Sequence, residues 1–420
     1  MATNLPINGE RLWADLMALA AMTDPERRWT RRAFSSRFLE GRSWLEQRMR
    51  SAGLEARLDA AGNLIGRKPG RGPGRRTIVI GSHTDTVPEG GRFDGVAGVA
   101  AGLEIVRALA DAGIELEHDL EVIDCLAEEV SPYGLSCIGS RSIAGRLDDA
   151  ALVRVDDAGE TLSEGLRRMG GDPHKLSGAK RDDIVAYLEL HIEQGPVLET
   201  EGRDIGIVTA IAGITRYEIV VDGRADHAGT FPMIGRADAL VAAADLTLRI
   251  RNHAANLSSA GRGHFAATVG EMRIEPNAAN VVPSRAVMLI DARAEQRSTL
   301  ESFTTFLTGA CKVVASEWNV AVAPPRLVSD NEPTPADPAL MRYLEEACDR
   351  VGAVHRRMAS GAGHDMAWFA KIAPAAMIFV PSRNGRSHTP DEWTEPSELA
   401  LGAAVLFEAV RSIDQHSNRI

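Results

Sequence analysis

The residues best equipped for chemistry begin in one short stretch. Residues 78–94 read Ile-Val-Ile-Gly-Ser-His-Thr-Asp-Thr-Val-Pro-Glu-Gly-Gly-Arg-Phe-Asp. An imidazole (His83) and a carboxylate (Asp85) stand one residue apart, and Asp94 follows a glycine-rich loop. Donors of these types suit a divalent metal ion. Taken alone, the stretch is explained equally well by a buried His–Asp hydrogen bond at a strand end. The deciding question is whether further donors arrive from elsewhere in the chain. The adjacent pair Glu128-Glu129, His191 and His388 are the residues that could do so.

An α/β scaffold would bring them together. The β-branched run Ile78, Val79 and Ile80 predicts a buried strand that delivers His83 and Asp85 at its end, where α/β sheets mount their ligand-binding residues. Val96, Val99, Leu103, Val106 and Leu109 then mark a helix over residues 95–113, and residues 119–126 form the next strand, ending in Glu128-Glu129. A strand–helix–strand order predicts a parallel pair with a right-handed crossover, so His83 and the two glutamates should meet. Residues 187–193 alternate, with Leu188, Leu190 and Ile192 on one face and Glu189, His191 and Glu193 on the other. That pattern predicts a strand with a polar face able to hold a ligand.

The remaining elements frame this unit. Leu12, Leu16 and Leu19 share one face of a first helix, with Asn8 as its cap. A second helix spans residues 37–50, and residues 54–58 and 63–66 form a strand pair. From residue 212 the pattern changes: strand 217–221, helix 236–252, strands 265–274 and 285–293, helix 299–318 and a last strand 320–325. This βαββαβ order is the ferredoxin-like plan. It predicts a domain at residues 213–327 inserted into a larger, discontinuous catalytic domain, residues 1–212 and 328–420, with a mixed sheet and flanking helices. A helix at 338–351, a strand at 375–380 and a helix from Glu395 complete the larger domain.

Composition narrows the functional classes. The chain has 420 residues, 44% of them hydrophobic and 25% charged, as in an ordinary globular protein. A net charge of -11 argues against a nucleic-acid partner. No apolar run is long enough to span a membrane, and no signal pattern precedes the first helix. The four cysteines (Cys125, Cys137, Cys311, Cys348) are far apart, which points to a reducing cytoplasm.

Five candidate ligands thus fall at strand ends or adjoining loops of the larger domain: His83, Asp94, Glu129, His191 and His388. Imidazoles mixed with carboxylates suit zinc, or manganese, cobalt or nickel. Five are too many for one four-coordinate site that keeps a water, and natural for two ions sharing a bridging carboxylate. Glu128 is then the spare carboxylate that takes a proton from water held between the ions.

At this point the sequence resembles a known family. It is similar to the M20 metallopeptidase-like amidohydrolases, in the branch of N-carbamoyl-L-amino-acid hydrolases, allantoate amidohydrolases and β-ureidopropionases. The resemblance rests on Gly81-Ser-His-Thr-Asp-Thr-Val87, Gly91-Arg-Phe-Asp-Gly95, Glu128-Glu129, Leu190-His-Ile-Glu-Gln-Gly195, His227-Ala-Gly-Thr230, Pro276-Asn-Ala-Ala-Asn-Val-Val-Pro283, Gly361-Ala-Gly-His-Asp365 and Ser387-His388, in the family's order. It implies that His83 and His191 hold one ion, Glu129 and His388 the other, and that Asp94 bridges them. Asp85 becomes the supporting carboxylate that fixes the tautomer of His83. Glu128 matches the general base. His227 matches the histidine of the inserted lid that reaches an active site, in this family the partner subunit's, and stabilises the oxyanion. Gln194, Asn280 and Arg293 match substrate-holding residues, and Gly363 and His364 lie in the loop near the substrate carboxylate. A homodimer formed through the inserted domain is also implied. For His227, support of the lid's own fold is the plainer reading, and for Asn280 and Arg293 it is pairing across a strand face. The role of His364 stays open.

Two departures from the family pattern bear on the substrate. Where the branch continues its paired glutamates with a small residue, Ser-Arg-Phe, this chain has Val130-Ser131-Pro132-Tyr133, and Asp226 stands where asparagine is common. The implied function is metal-dependent hydrolysis of a non-peptide C–N bond in a small carboxylate such as an N-carbamoyl amino acid, a ureido acid or an allantoate-like compound. Its rivals are another C–N hydrolase on the same scaffold, such as an aminoacylase, dipeptidase or aryl aminohydrolase, and a catalytically silent binding module.

Overall fold

The structure is a computed structural model describing residues 5–416. Contacts divide the chain into two units. One takes in the chain up to Thr209, Ala336–Arg357 and everything from His364, and the other Ala210–Pro335 and Met358–Gly363.

The first unit opens with α1 (Gly9–Ala21), where the Asn8 side chain accepts the N–H of Arg11 and Leu12, Leu16 and Leu19 are buried. Helix α2 (Ser36–Ser51) starts on a Ser35 cap. The antiparallel pair β1 (Glu55–Leu58) and β2 (Leu64–Lys68) follows. Then come β3 (Thr77–His83), α3 (Val96–Asp111) and β4 (Asp119–Cys125), with β3 and β4 parallel and buried along their whole length. The polar stretch beyond carries α4 (Ile138–Ile143), α5 (Asp149–Leu152) and α6 (Leu162–Arg168). Strand β5 (Ile184–Ile192), α7 (Val197–Glu201) and β6 (Ile205–Ile211) close this part.

The second unit runs β7 (Gly213–Asp222), α8 (Ala239–Ser259), β8 (Phe265–Glu275), β9 (Arg285–Ala294), α9 (Arg297–Glu317) and β10 (Ala321–Val322), followed by β11 (Arg326–Asn331) and β12 (Thr334–Pro335). Its sheet has the order β10-β7-β9-β8, with β11 also on β7. Burial alternates along β7 and β9, as expected of a sheet covered on one face. Leu246 and Ile250 of α8 and Leu300, Phe303 and Leu307 of α9 cover Ile219, Met288 and Ile290.

The chain returns through α10 (Pro338–Val351), β13 (His355–Ser360), α11 (Met366–Phe369), β14 (Ala375–Val380) and α12 (Pro396–His416). The first unit's sheet is mixed, with the order β1-β2-β4-β3-β5-β14-β6. Strands β4, β3, β5 and β14 are mutually parallel, so their carboxyl ends form one edge. Among the described residues no helix is long and apolar enough to cross a membrane.

Several elements differ from the expectation. Strand β5 is buried on both faces, because β3 and β14 flank it and helices cover it. The strand expected over 320–325 shrinks to two residues, since Pro324 and Pro325 cannot donate to a ladder. Strand β11, which crosses the domain boundary expected between residues 327 and 328, pairs with β7 and lies in the second unit.

Candidate metal centre

The carboxyl edge of the parallel strands gathers the candidate ligands. His83 ends β3 and lies opposite Cys125, the last residue of β4. Past β4 the chain turns through Ala127 at a positive φ of 52°, and the N–H groups of Glu128 and Glu129 donate to the Asp85 carboxylate at 3.2 and 3.3 Å. His191 sits one residue before the end of β5, paired with Phe379 of β14. His388 follows β14, with φ 54°.

Asp94 is the hub. Its Oδ1 lies 3.1 Å from His191 Nε2 and 3.5 Å from His83 Nε2. Its Oδ2 lies 3.1 Å from His388 Nε2, which is also 3.1 Å from Glu129 Oε1. Two donor groups therefore share one carboxylate: His83, Asp94 and His191 form the first, and Asp94, Glu129 and His388 the second. The first is buried and the second partly open.

The tautomers indicate what these groups face. His83 Nδ1 is 2.9 Å from the Asp85 carbonyl, and His191 Nδ1 is 2.9 Å from the Ile192 carbonyl. A carbonyl oxygen only accepts, so both Nδ1 atoms carry hydrogen and both Nε2 atoms turn toward Asp94. Asp85 thus fixes the His83 tautomer through its backbone carbonyl. Its carboxylate, 3.6 Å from His83 Nδ1, serves mainly to hold the Glu128–Glu129 peptides. His191 Nε2 also accepts the Gly95 N–H at 3.2 Å, whereas a neutral His83 Nε2 lone pair facing a carboxylate needs a cation between them. Protons can supply it: hydrogen bonds with Asp94 and Glu129 raise His388 to about 10. A divalent ion would supply the same charge and leave the rings neutral, so the donor set fits a metal.

The carboxylates respond to burial and to these neighbours. Burial would raise Asp94, but the charge of His191 and the hydrogen bonds from His191, His388 and His83 hold it well below the usual range. Burial pushes Glu128 well above it; His83 opposes that push, while Glu129, Asp365 and Asp85 add to it. Glu128 Oε2 lies 3.7 Å from His83 Nε2, and the Cys137 thiol donates to Oε1 at 3.4 Å. This is a carboxyl group adapted to holding a proton.

Other expected residues fall in varied places. Gln194 Nε2 donates to Asp94 Oδ2 at 2.6 Å, and its buried Oε1 has no partner among the described residues. Glu189, on the face of β5 expected to hold a ligand, is taken by Ser82 Oγ, Tyr187 Oη and the Met366 N–H. The buried His364 ring packs edge-on against His191 at 4.5 Å. On the second unit, His227 and Val281 form a bridge, and the Asn280 carbonyl accepts the Ala228 N–H at 3.0 Å. Arg293 is fixed by Asp291 at 2.8 Å and the Gly361 carbonyl at 2.7 Å, within the same unit as Gly363. The departing loop buries Tyr133 against Phe34, with its hydroxyl on Glu160, and leaves Val130 60% exposed beside Glu129.

Sequence reasoning missed Glu392 and Cys137. Glu392 is a buried carboxylate that accepts hydrogen bonds from the loop carrying Asp94. Only its position four residues after His388 hinted at it.

Gly95 shows how tightly the centre is built. At φ +65°, a Cβ here would lie 2.3 Å from His83 Nε2. Gly95→Ala is therefore expected to cost about 1–3 kcal/mol in backbone strain and to displace the His83 ring, with loss of bound metal. Gly113 has the same φ with nothing within 4 Å of its Cβ position, so Gly113→Ala should pay the strain alone and keep its metal. Thermal melts paired with elemental analysis would check both.

The chain is similar to known proteins over nearly its whole length. The chain is 37% identical over 412 residues to an N-carbamoyl-L-amino acid amidohydrolase from Geobacillus stearothermophilus, covering 97% of this chain and 99% of that one. It is 36% identical over 385 residues to the allantoate amidohydrolase of Escherichia coli (strain K12), covering 91% and 92%. A crystal structure of an amidase of the hydantoinase/carbamoylase family from Burkholderia multivorans superposes with a TM-score of 0.90 at 35% identity, covering 97% and 98%. Residues 79–412 match the model of peptidase family M20/M25/M40, and the chain belongs to that family.

Proposed function

We propose that this protein is a two-metal amidohydrolase that cleaves a non-peptide C–N bond in a small carboxylate bearing an N-carbamoyl, ureido or related amide group. The observation that carries the reading is the convergence of three imidazoles and Glu129 on Asp94, with the protonatable Glu128 beside them. The substrate class follows the names of the similar proteins, which act on N-carbamoyl amino acids and on allantoate.

His83 and His191 would hold one ion and Glu129 and His388 the other, with Asp94 shared; zinc, manganese, cobalt and nickel all suit these donors. When bound, two such ions supply positive charge that polarises a water and the scissile carbonyl. Glu128 takes the proton from the attacking water and returns it to the departing nitrogen. His227 Nδ1 accepts the N–H groups of Gly229 and Thr230 at 3.1 and 3.2 Å, which places its own hydrogen on Nε2, the donor a developing oxyanion needs. The unpartnered Gln194 Oε1 is an acceptor for a carbamoyl N–H, and Asn280, Gly363 and His364 complete the substrate-holding set. A carbamoyl substrate yields the free amine and carbamate, hence ammonia and carbon dioxide.

Arg293, pre-oriented by Asp291 and Gly361, grips the substrate carboxylate. Arg293→Ala is expected to raise KM for carboxylate substrates about 10-fold or more with a smaller change in kcat. An unchanged KM would count against that contact.

The reading extends to assembly and place. A second copy would join through the inserted unit, where β8 is the outer strand of its sheet and Leu248 and Met272 are exposed. Four buried, unpaired cysteines suit a cytoplasmic setting. Residues 130–133 favour one alternative substrate class, because Val130 offers an apolar surface beside Glu129. A panel of N-carbamoyl, ureido, N-acyl and aryl amide substrates, read by amine and ammonia release, tests the choice. Turnover confined to acyl or aryl amides would replace the carbamoyl assignment.

A further inference from the structure

Glu392 lies outside every motif that pointed to the metal centre, yet it is fully buried and touches two of the loops that build it. Its Oε1 accepts three consecutive backbone N–H groups, from Phe93 at 2.7 Å, Arg92 at 2.8 Å and Asp94 at 3.3 Å. Successive N–H groups converging on one oxygen form an anion nest, here filled by the chain's own carboxylate. Its Oε2 accepts the Ser387 hydroxyl at 2.9 Å, and that hydroxyl also lies 3.1 Å from Asp94 Oδ2. One hydroxyl thus bridges the nested carboxylate and the shared ligand, on the residue next to His388.

The surroundings leave this carboxylate no other place. Gly91 has φ +117°, and a Cβ there would come within 2.3 Å of Glu392 Oε1, so the loop passes this close only because it lacks a side chain. The next residue anchors the segment. Trp393 meets Trp13 and Phe93 edge-on at 5.5 and 5.8 Å, and the Arg92 guanidinium lies 4.7 Å over its ring. The backbone around Glu392 is therefore held independently of its carboxylate.

The geometry points to Glu392 as the positioning residue that sets the separation of Asp94 and His388, and hence the affinity of the site formed by Asp94, Glu129 and His388. It does so through two links, the nest on residues 92–94 and the Ser387 hydroxyl. The site of His83 and His191 depends on it less, because those residues are fixed by β3 and β5 and by the carbonyls of Asp85 and Ile192. This inference rests on the two-metal reading above.

Calorimetric titration of chelator-stripped protein with Zn2+ or Mn2+ tests it without recourse to activity. Glu392→Ala is expected to keep one tight ion and to bind the second about 10–100-fold more weakly. Turnover should then recover as the metal concentration is raised. Glu392→Gln keeps an acceptor oxygen for the nest and can donate to Ser387, so it should bind both ions within a few-fold of the natural protein. Ser387→Ala, which keeps the nest but cuts the second link along with a 3.3 Å contact from Gln194 Nε2, should weaken the second ion alone. A second-ion affinity unchanged from the natural protein in Glu392→Ala would overturn the inference, as would parallel weakening of both ions. If the unsubstituted protein itself binds no ions, the two-metal reading fails instead.

Discussion

Glu128→Gln is expected to keep both metal ions and to lose turnover by about 10²–10⁴-fold or more, the range assigned to a positioned acid–base group. The carboxyl is buried and held well above its usual range, with His83 on one oxygen and the Cys137 thiol on the other. Glutamine fills the same volume and accepts the same thiol hydrogen bond, yet cannot take a proton from water. The melting temperature should therefore hold while kcat collapses. A fall in both would mean that the residue shapes the site, and retained turnover would remove it from the chemistry.

Asp94→Ala should have the second large effect, through the metals themselves. Its carboxylate serves both donor clusters, Oδ1 in the first and Oδ2 in the second. Without them, the first cluster is left with two neutral imidazoles and the second with one imidazole and one carboxylate. Two divalent ions lying a few ångströms apart need a bridging negative charge. Elemental analysis after gel filtration should find fewer than one ion per chain, with hydrolysis near background. Asp94→Asn, which keeps the shape without the charge, should behave almost as badly. Two ions retained by either variant would show that Asp94 is not the bridge.

Much of the centre was legible in the sequence because it hangs on a βαβ unit. The apolar run at Ile78–Ile80, the periodic helix from Val96 and the strand ending at Cys125 together force His83 beside Glu128 and Glu129. Of the remaining candidate ligands, His191 was legible from the alternation of residues 187–193, whereas His388 was placed only by its motif, because spacing along the chain says little about it. What escaped was support delivered by backbone atoms and by distant loops. The Asp85 carbonyl on His83 and the N–H nest around Glu392 depend on no residue type that a periodicity would reveal. Strand β11 escaped for a similar reason: its mostly exposed residues pair with β7 without building a core.

The most direct test strips the protein with a chelator and returns zinc or manganese stepwise. Bound metal and ammonia release from N-carbamoyl-L-amino acids and allantoate are followed together. The account predicts no hydrolysis by the stripped protein, two ions bound per chain, and turnover that appears with the second. Hydrolysis without metal, or full loading with two ions and no cleavage of any carbamoyl or ureido carboxylate, would contradict it.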